Sequence, residues 1–467
     1  MGLARELAQR IVALRYEDLP TAAIQGSRVG LMDTIGVLLA GANETPAKIV
    51  RQMHAPTVGT GPCRIMGTSQ LTNALDAAII NGTAAHALDY DNGSNSMGGH
   101  VSATMVPAII AAAEAFDASG RDLLLAHTVG FETGARIGHG VNFHHYEVGW
   151  HPTSTLGTFA VTAACASLLK LDTAQTEVAL GIATSLAAGI KANFSTMVKP
   201  LHVGQCARNG LTAALLARDG FSASALAFED KQGFLNVFNG AGNYDTDRIL
   251  DRWANPLEIV EPGAGYKQYP CCAATHSAVD VALELVNRHG RFNAADIVSI
   301  HTWTSARRLA HTNRPAPQSN LDAKFSVQYC VTRALLEGQI VLEHFEAEAY
   351  RDPLTRDVMQ HFHAAVHTPG QFPPENHFGA EVKVTLRDGT LRSGRIDIQL
   401  GRTSDNPVPP ERLRTKFKNC SGRVLSTENV ERVLAMLDQL EDLSDARELT
   451  ALLVPPATSL PSKATPA

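Results

Sequence analysis

Aromatic residues make up only 6% of this 467-residue chain and charged residues 18%, and no segment concentrates Lys or Arg. A formal net charge of -6 without a basic face excludes a nucleic-acid binder, which needs clustered cations to displace phosphate counterions. The seven cysteines are odd in number and never form C-x-x-C, so neither a disulfide framework nor a zinc site is signalled. Reduced thiols of a cytoplasmic protein are the expectation. Apolar runs are short: Val106 to Ala113 stops at Glu114, far below a bilayer span. The start, MGLARE, has no signal-peptide core, and Glu6 stands where a myristoylation signal carries Ser or Thr. No G-x-G-x-x-G or H-E-x-x-H is found, so neither a nucleotide fingerprint nor a helical metal pair is expected. Membrane, nucleic-acid and cofactor chemistry thus all go unsignalled.

What the chain does have is alanine. Ala-rich segments (74–89, 106–116, 154–169, 176–188, 208–218) separated by Gly, Pro and Asn read as helices buried nearly all round. After Pro262-Gly263-Ala264-Gly265 the pattern changes. Ile297 to Trp303 alternates like a strand, Glu381–Leu386 and Leu391–Ile398 flank an Asp388-Gly389 turn as a hairpin, and Ser326–Leu336 reads as a helix. A helix over Asn429–Leu440 returns to the first pattern. The expected fold is mainly α: an all-α domain over 1–262 and 402–453, a smaller α+β lid domain over 263–401, and a disordered Pro/Ser/Ala tail over 454–467.

Ionisable residues gather in four polar islands. DYDNGSNSMGGH holds Asp89 and His100 in a flexible loop. HHYEVGWHPTSTLG holds Tyr146 and His151, with Pro152 marking a helix start that Thr153 or Ser154 can cap, a setting that suits a bound carboxylate. NFSTMVKPLHVG holds Lys199 and His202. A Lys before Pro disfavours the α conformation, so Lys199 is expected at a helix break, where desolvation would make it a usable base. YKQYPCCAATH holds Cys272, and KFSVQY follows further on. His139, His144, His145 and His151 lack metal-ligand spacing, and adjacent Cys271 and Cys272 read as buried thiols. The set left is one for removing a proton next to a carboxylate and holding enolate-like charge.

At these islands the sequence resembles the MmgE/PrpD family, through NGTAAHALDYD with GGHVSA, GWHPTSTLG, KPLHVGQCARNG, YPCCAATH, KFSVQY and KFKNC, in order along nearly the whole chain. The resemblance implies a helical domain with an inserted lid, a homodimer, no required metal, and a site at Asp89, His100, His151, Lys199 and Tyr329, with Tyr146 as a further acid or base. Members dehydrate 2-methylcitrate, decarboxylate cis-aconitate or epimerise iminodisuccinate. The chain departs at Asp91-Asn92-Gly93, where family loops carry a second Asp and a hydroxyl, which marks this loop as the place where its substrate differs. Cys272 stands where the decarboxylase has His and counts against decarboxylation. The GWHPTSTLG and KPLH context is closer to the epimerase branch, which lacks a counterpart of Tyr329.

The expectation is therefore an acid–base enzyme for a small di- or tricarboxylate, a hydro-lyase first and an epimerase second. A non-catalytic metabolite-binding dimer stands beside them. Lys199 or Tyr146 is the expected base, His151 and His100 bind carboxylate or donate a proton, and Asp89 orients a histidine. Tyr329, His202, Cys272 and Ser154 are the expected substrate contacts.

Overall fold

The computed structural model describes residues 2–373 and 376–456. Residues 457–467 of the expected tail lie outside them. The chain is mainly helical, as expected from its alanine-rich pattern. At the centre, the helices Ala74–His86, Val101–Phe116, Gly120–Val141, Pro152–Leu168 and Val198–Arg218 pack on one another in one hydrophobic core. Their starts are fixed chemically: Asn73 accepts from Asp76 N at 3.0 Å, and Ser119 forms a capping box with Asp122.

Small residues let these helices touch. A Cβ on Gly82 would lie 2.8 Å from Gly204 Cα, and one on Gly204 would lie 2.3 Å from Ile79 O. The crossing of Ala74–His86 and Val198–Arg218 therefore has no room for a methyl group. Gly204→Val is expected to destabilise the protein by about 3 kcal/mol or more, from overpacking against backbone atoms. Urea unfolding measures this, and a midpoint within error of the unaltered chain would sink it.

Two observations revise the expected helix starts. The second central helix begins at Val101, not near Val106, and carries Pro107 inside it. The last begins at Val198, ten residues before Arg208, so Lys199-Pro200 opens a helix rather than breaking one. Two two-stranded ladders also interrupt the helices: Cys63–Arg64 with Leu71–Thr72, and Gly93–Ser94 with Ala264–Gly265. The second ladder ties the DYDNGSNSMGGH loop to the segment that leaves the helical core.

A second core surrounds a four-stranded sheet. Its order is Phe362–Val366, Ile297–Thr304, Ala380–Leu386, Leu391–Ile396; the first pair is parallel and the others antiparallel. The helix Ala273–His289 packs on this sheet and on the helix Val327–Glu337. Phe362–Val366 went unforeseen, because an edge strand with mostly exposed side chains carries little apolar alternation. Pro410–Ser421 and Thr427–Asp438 then return to pack on Thr21–Gly41 of the first core.

Candidate active site

A cavity of about 360 Å³ opens between the two cores, lined by Asp89, Asp91, His100, Tyr146, His151 and Lys199 from the first half of the chain. Lys267, Cys272, Arg307, Arg308, His311 and Arg402 line it from the second. Helix geometry explains its character. His100 is the N-cap of Val101–Phe116, His151 of Pro152–Leu168 and Cys272 of Ala273–His289, while Lys199 sits in the first turn of Val198–Arg218. Four helix N-termini thus face one space, and their free N–H groups and positive dipole ends favour an anion. Five Lys and Arg side chains line the wall against two carboxylates, Asp89 and Asp91.

Asp89 anchors one end. It follows Ala74–His86 in the left-handed region, with φ of 52°, which an Asp tolerates better than most residues. Three lysines from distant segments clamp the adjoining backbone carbonyls. Lys324 Nζ donates to Leu88 O at 2.6 Å, Lys267 Nζ to Asp89 O at 2.5 Å and Lys416 Nζ to Tyr90 O at 2.7 Å. Lys324 and Lys416 belong to the KFSVQY and KFKNC segments, so those segments support the loop from behind. The Asp89 carboxylate then takes Lys199 Nζ at 2.7 Å and Lys267 Nζ at 2.9 Å. Burial alone would raise its pKa, but Lys199, Lys267, His86 and His100 together hold it well below the usual range.

Asp91 bridges two imidazoles, with His86 Nδ1 at 2.8 Å and His100 Nδ1 at 2.9 Å. His86 is buried and its pKa falls to about 4, from desolvation first, with Asp91 opposing and Lys199 adding to the fall. His151 is held well below its ordinary value by burial and by Lys199, His86 and His202. It is therefore a neutral ring at pH 7, with Nδ1 3.1 Å from His202 Nδ1. Tyr146 Oη lies 3.3 Å from His311 Nε2, and burial, then Cys272, raises its phenol, so it keeps its proton. Cys272 also keeps its proton, its thiol raised by burial and by Asp89.

The structure brings Asp89, His100, Tyr146, His151, Lys199 and Cys272 to one cavity, but not all the expected residues. Ser154 caps nothing; its Oγ donates to His202 O at 3.2 Å, and both side chains stand behind His151. Tyr329 is fully buried in the second core, its hydroxyl donating to His344 O at 2.5 Å and accepting from Arg333 Nε at 3.1 Å. Asn92 is also turned away: its N and Nδ2 both donate to Asp33 Oδ2 at 3.1 Å. An Asp there would face Asp33 inside the core, so the loop's departure at position 92 serves packing, and only Gly93 of the pair reaches the cavity. Gly99 is required by close approach, since a Cβ would lie 2.6 Å from Thr153 N.

Several residues went unforeseen as site residues, among them His86, Lys267, Arg307, Arg308, His311 and Arg402. His86, at the end of an alanine helix, gives no local signal beyond the motif it sits in. Arg307, Arg308 and Arg402 lie on elements that only the tertiary fold brings together. Ligand atoms of His86, Asp89, Asp91 and His100 also come within 4.8 Å of one another, the spacing of a cation-binding set. The two ammonium groups on Asp89 repel a cation from that set. His139, His144 and His145 are engaged elsewhere, with Glu258, Asn239 and Thr155.

The site as built is a cavity lined by buried ionisable groups, with five Lys and Arg side chains against two carboxylates. Residues 5–247 match the MmgE/PrpD N-terminal domain and residues 269–442 the MmgE/PrpD C-terminal domain, and the chain belongs to this family. It is 28% identical over 465 residues to cis-aconitate decarboxylase of Mus musculus, covering 98% of this chain and 94% of that one. The Homo sapiens decarboxylase is 29% identical over 466 residues, covering 98% and 95%, and that of Aspergillus terreus 27% over 489, covering 98% and 97%. Among the described residues, no helix is long and apolar enough to cross a membrane.

Proposed function

We propose that the chain is a lyase for a small di- or tricarboxylate, working by proton transfer at a carbon next to a carboxylate. The observation that carries this reading is the Asp89–Lys199 ion pair beside a neutral His151, in a cavity faced by four helix N-termini. The roles differ from those expected of the residues alone. Lys199 is paired with the Asp89 carboxylate at 2.7 Å, which suits it to stabilise enolate charge. His151, neutral and with Nδ1 held by His202, is the proton acceptor. In elimination of water, the α-proton passes to His151, the C–H electron pair forms the alkene, and hydroxide leaves with a proton from Tyr146 or His100.

Decarboxylation of a cis-aconitate-like acid is the second reading, favoured by full-length likeness to proteins of that name. There the C–C electron pair is left as a carbanion when carbon dioxide departs, and the protonated thiol of Cys272 is placed to quench it. Elimination stands first because the resemblance expects a histidine at that position. The test is a panel of 2-hydroxy tricarboxylates, cis-aconitate and amino diacids in heavy water, followed by NMR. Water loss to an alkene is the expected result. Carbon dioxide release would transfer the assignment to decarboxylation, and α-deuteration with inversion to epimerisation. Absence of all three across the panel would overturn the lyase reading.

A further inference from the structure

The part of the cavity lining that comes from the second half of the chain carries charge that the proton-transfer residues do not use. Arg308 is 7% exposed, and its Nη1 and Nη2 donate only to neutral groups, Ser277 Oγ at 3.1 Å and Gln399 Oε1 at 3.2 Å. Arg402 has a buried Nε with no partner. Both guanidinium carbons lie over the Phe378 ring, at 5.1 and 4.8 Å from its centroid. Arg307 completes the group. Among the described residues, none of the three arginines has a carboxylate within ion-pair distance.

Such an arrangement is costly unless something fills it. Burial and mutual repulsion lower Arg308 to about 9 and Arg402 to about 10. Buried guanidinium groups normally find anionic partners, and two planar forks beside one ring match a carboxylate. Cys272 lines the same cavity as Asp89 and Lys267 and as Arg308 and Arg402.

We infer that Arg308 and Arg402, with Arg307, form a receptor for a carboxylate remote from the reacting carbon. The ligand then spans the cavity, with one carboxylate against the helix N-termini and another on the arginines. This rests on the proposed di- or tricarboxylate chemistry of the same cavity and adds the side chains that hold the second carboxylate, Arg308 and Arg402. A monocarboxylate would leave the arginines unpaired and is rejected on that ground.

Calorimetric titration with tricarballylate, a saturated tricarboxylate, tests this without any turnover. R402Q is the main variant, because the Arg402 side chain has no hydrogen-bond partner among the described residues to orphan. Its Kd for tricarballylate is expected to rise about 30-fold, the loss of a charge-assisted contact. R308K, with its single point charge, should weaken binding at least about fivefold. Thermal melting checks that both variants are folded. The inference is overturned if folded R402Q and R308K bind as the unaltered chain does, if the unaltered chain does not bind tricarballylate, or if inorganic phosphate binds it more tightly. A failed product panel with intact tricarballylate binding would remove the lyase reading and leave the receptor standing.

Discussion

Lys199→Met is expected to lower kcat about 10³-fold on the acid that the product panel identifies, within the range for removing one preorganised charge from a developing oxyanion. The fold should survive, because Asp89 keeps Lys267 at 2.9 Å and is not left as an unpaired buried charge. Asp89→Asn is a different case. It strands Lys199 and Lys267, both buried, without their carboxylate, and should destabilise the protein by about 3–5 kcal/mol as well as reduce turnover. Because the two residues act as one unit, the double variant should lose little more activity than the worse single variant. Steady-state kinetics with urea unfolding separates the effects. A folded Lys199→Met protein with more than a tenth of the original kcat would refute the role given to the ion pair.

Much of the site was legible because it lies where helices begin. His100, His151 and Cys272 precede helices, and Lys199 opens one, so Gly, Pro and polar residues punctuate the alanine pattern around them. The same punctuation misled at two boundaries. The helix expected over 106–116 begins at Val101, with polar Ser102 and Thr104 buried in its first turns, and Pro200 looked like a break although a first turn accepts proline. Tyr329 entered through resemblance alone, and the geometry turns its hydroxyl to His344 O. The arginines were illegible for a physical reason. Adjacent Arg307 and Arg308 follow a strand with no motif around them, and only packing against Gln399 and Phe378 buries Arg308 while Arg307 stays exposed. Likewise Asn92 looked like a lost catalytic acid until Asp33, 59 residues away, was found against it.

The neutral histidines that suit this site for proton transfer also set a limit on its stability in acid. His86, His127 and His145 are buried, with pKa values near 4, 3 and 4, each lowered first by desolvation. The unfolded chain binds protons at these rings near pH 6.5 while the folded chain does not, so stability falls as pH drops below that value. Each ring should cost about 2 kcal/mol between pH 7 and pH 5, or about 6 kcal/mol for the three, a large share of typical domain stability. Asp89 and Asp91 do not share this window: held well below the usual range, they lose their contribution only at lower pH. Glu114 and Asp280, raised by burial, work in the opposite direction and trim the total. Urea unfolding at pH 7 and pH 5 gives the number, and an unchanged midpoint would refute the account. His127 isolates the cause, since it lies outside the cavity between Ser27 and Ser102, with hydrogen bonds of 3.1 and 3.0 Å. His127→Gln should remove about 2 kcal/mol of the pH dependence while leaving tricarballylate affinity unchanged, because acid acts on buried rings throughout the helical core as well as at the site.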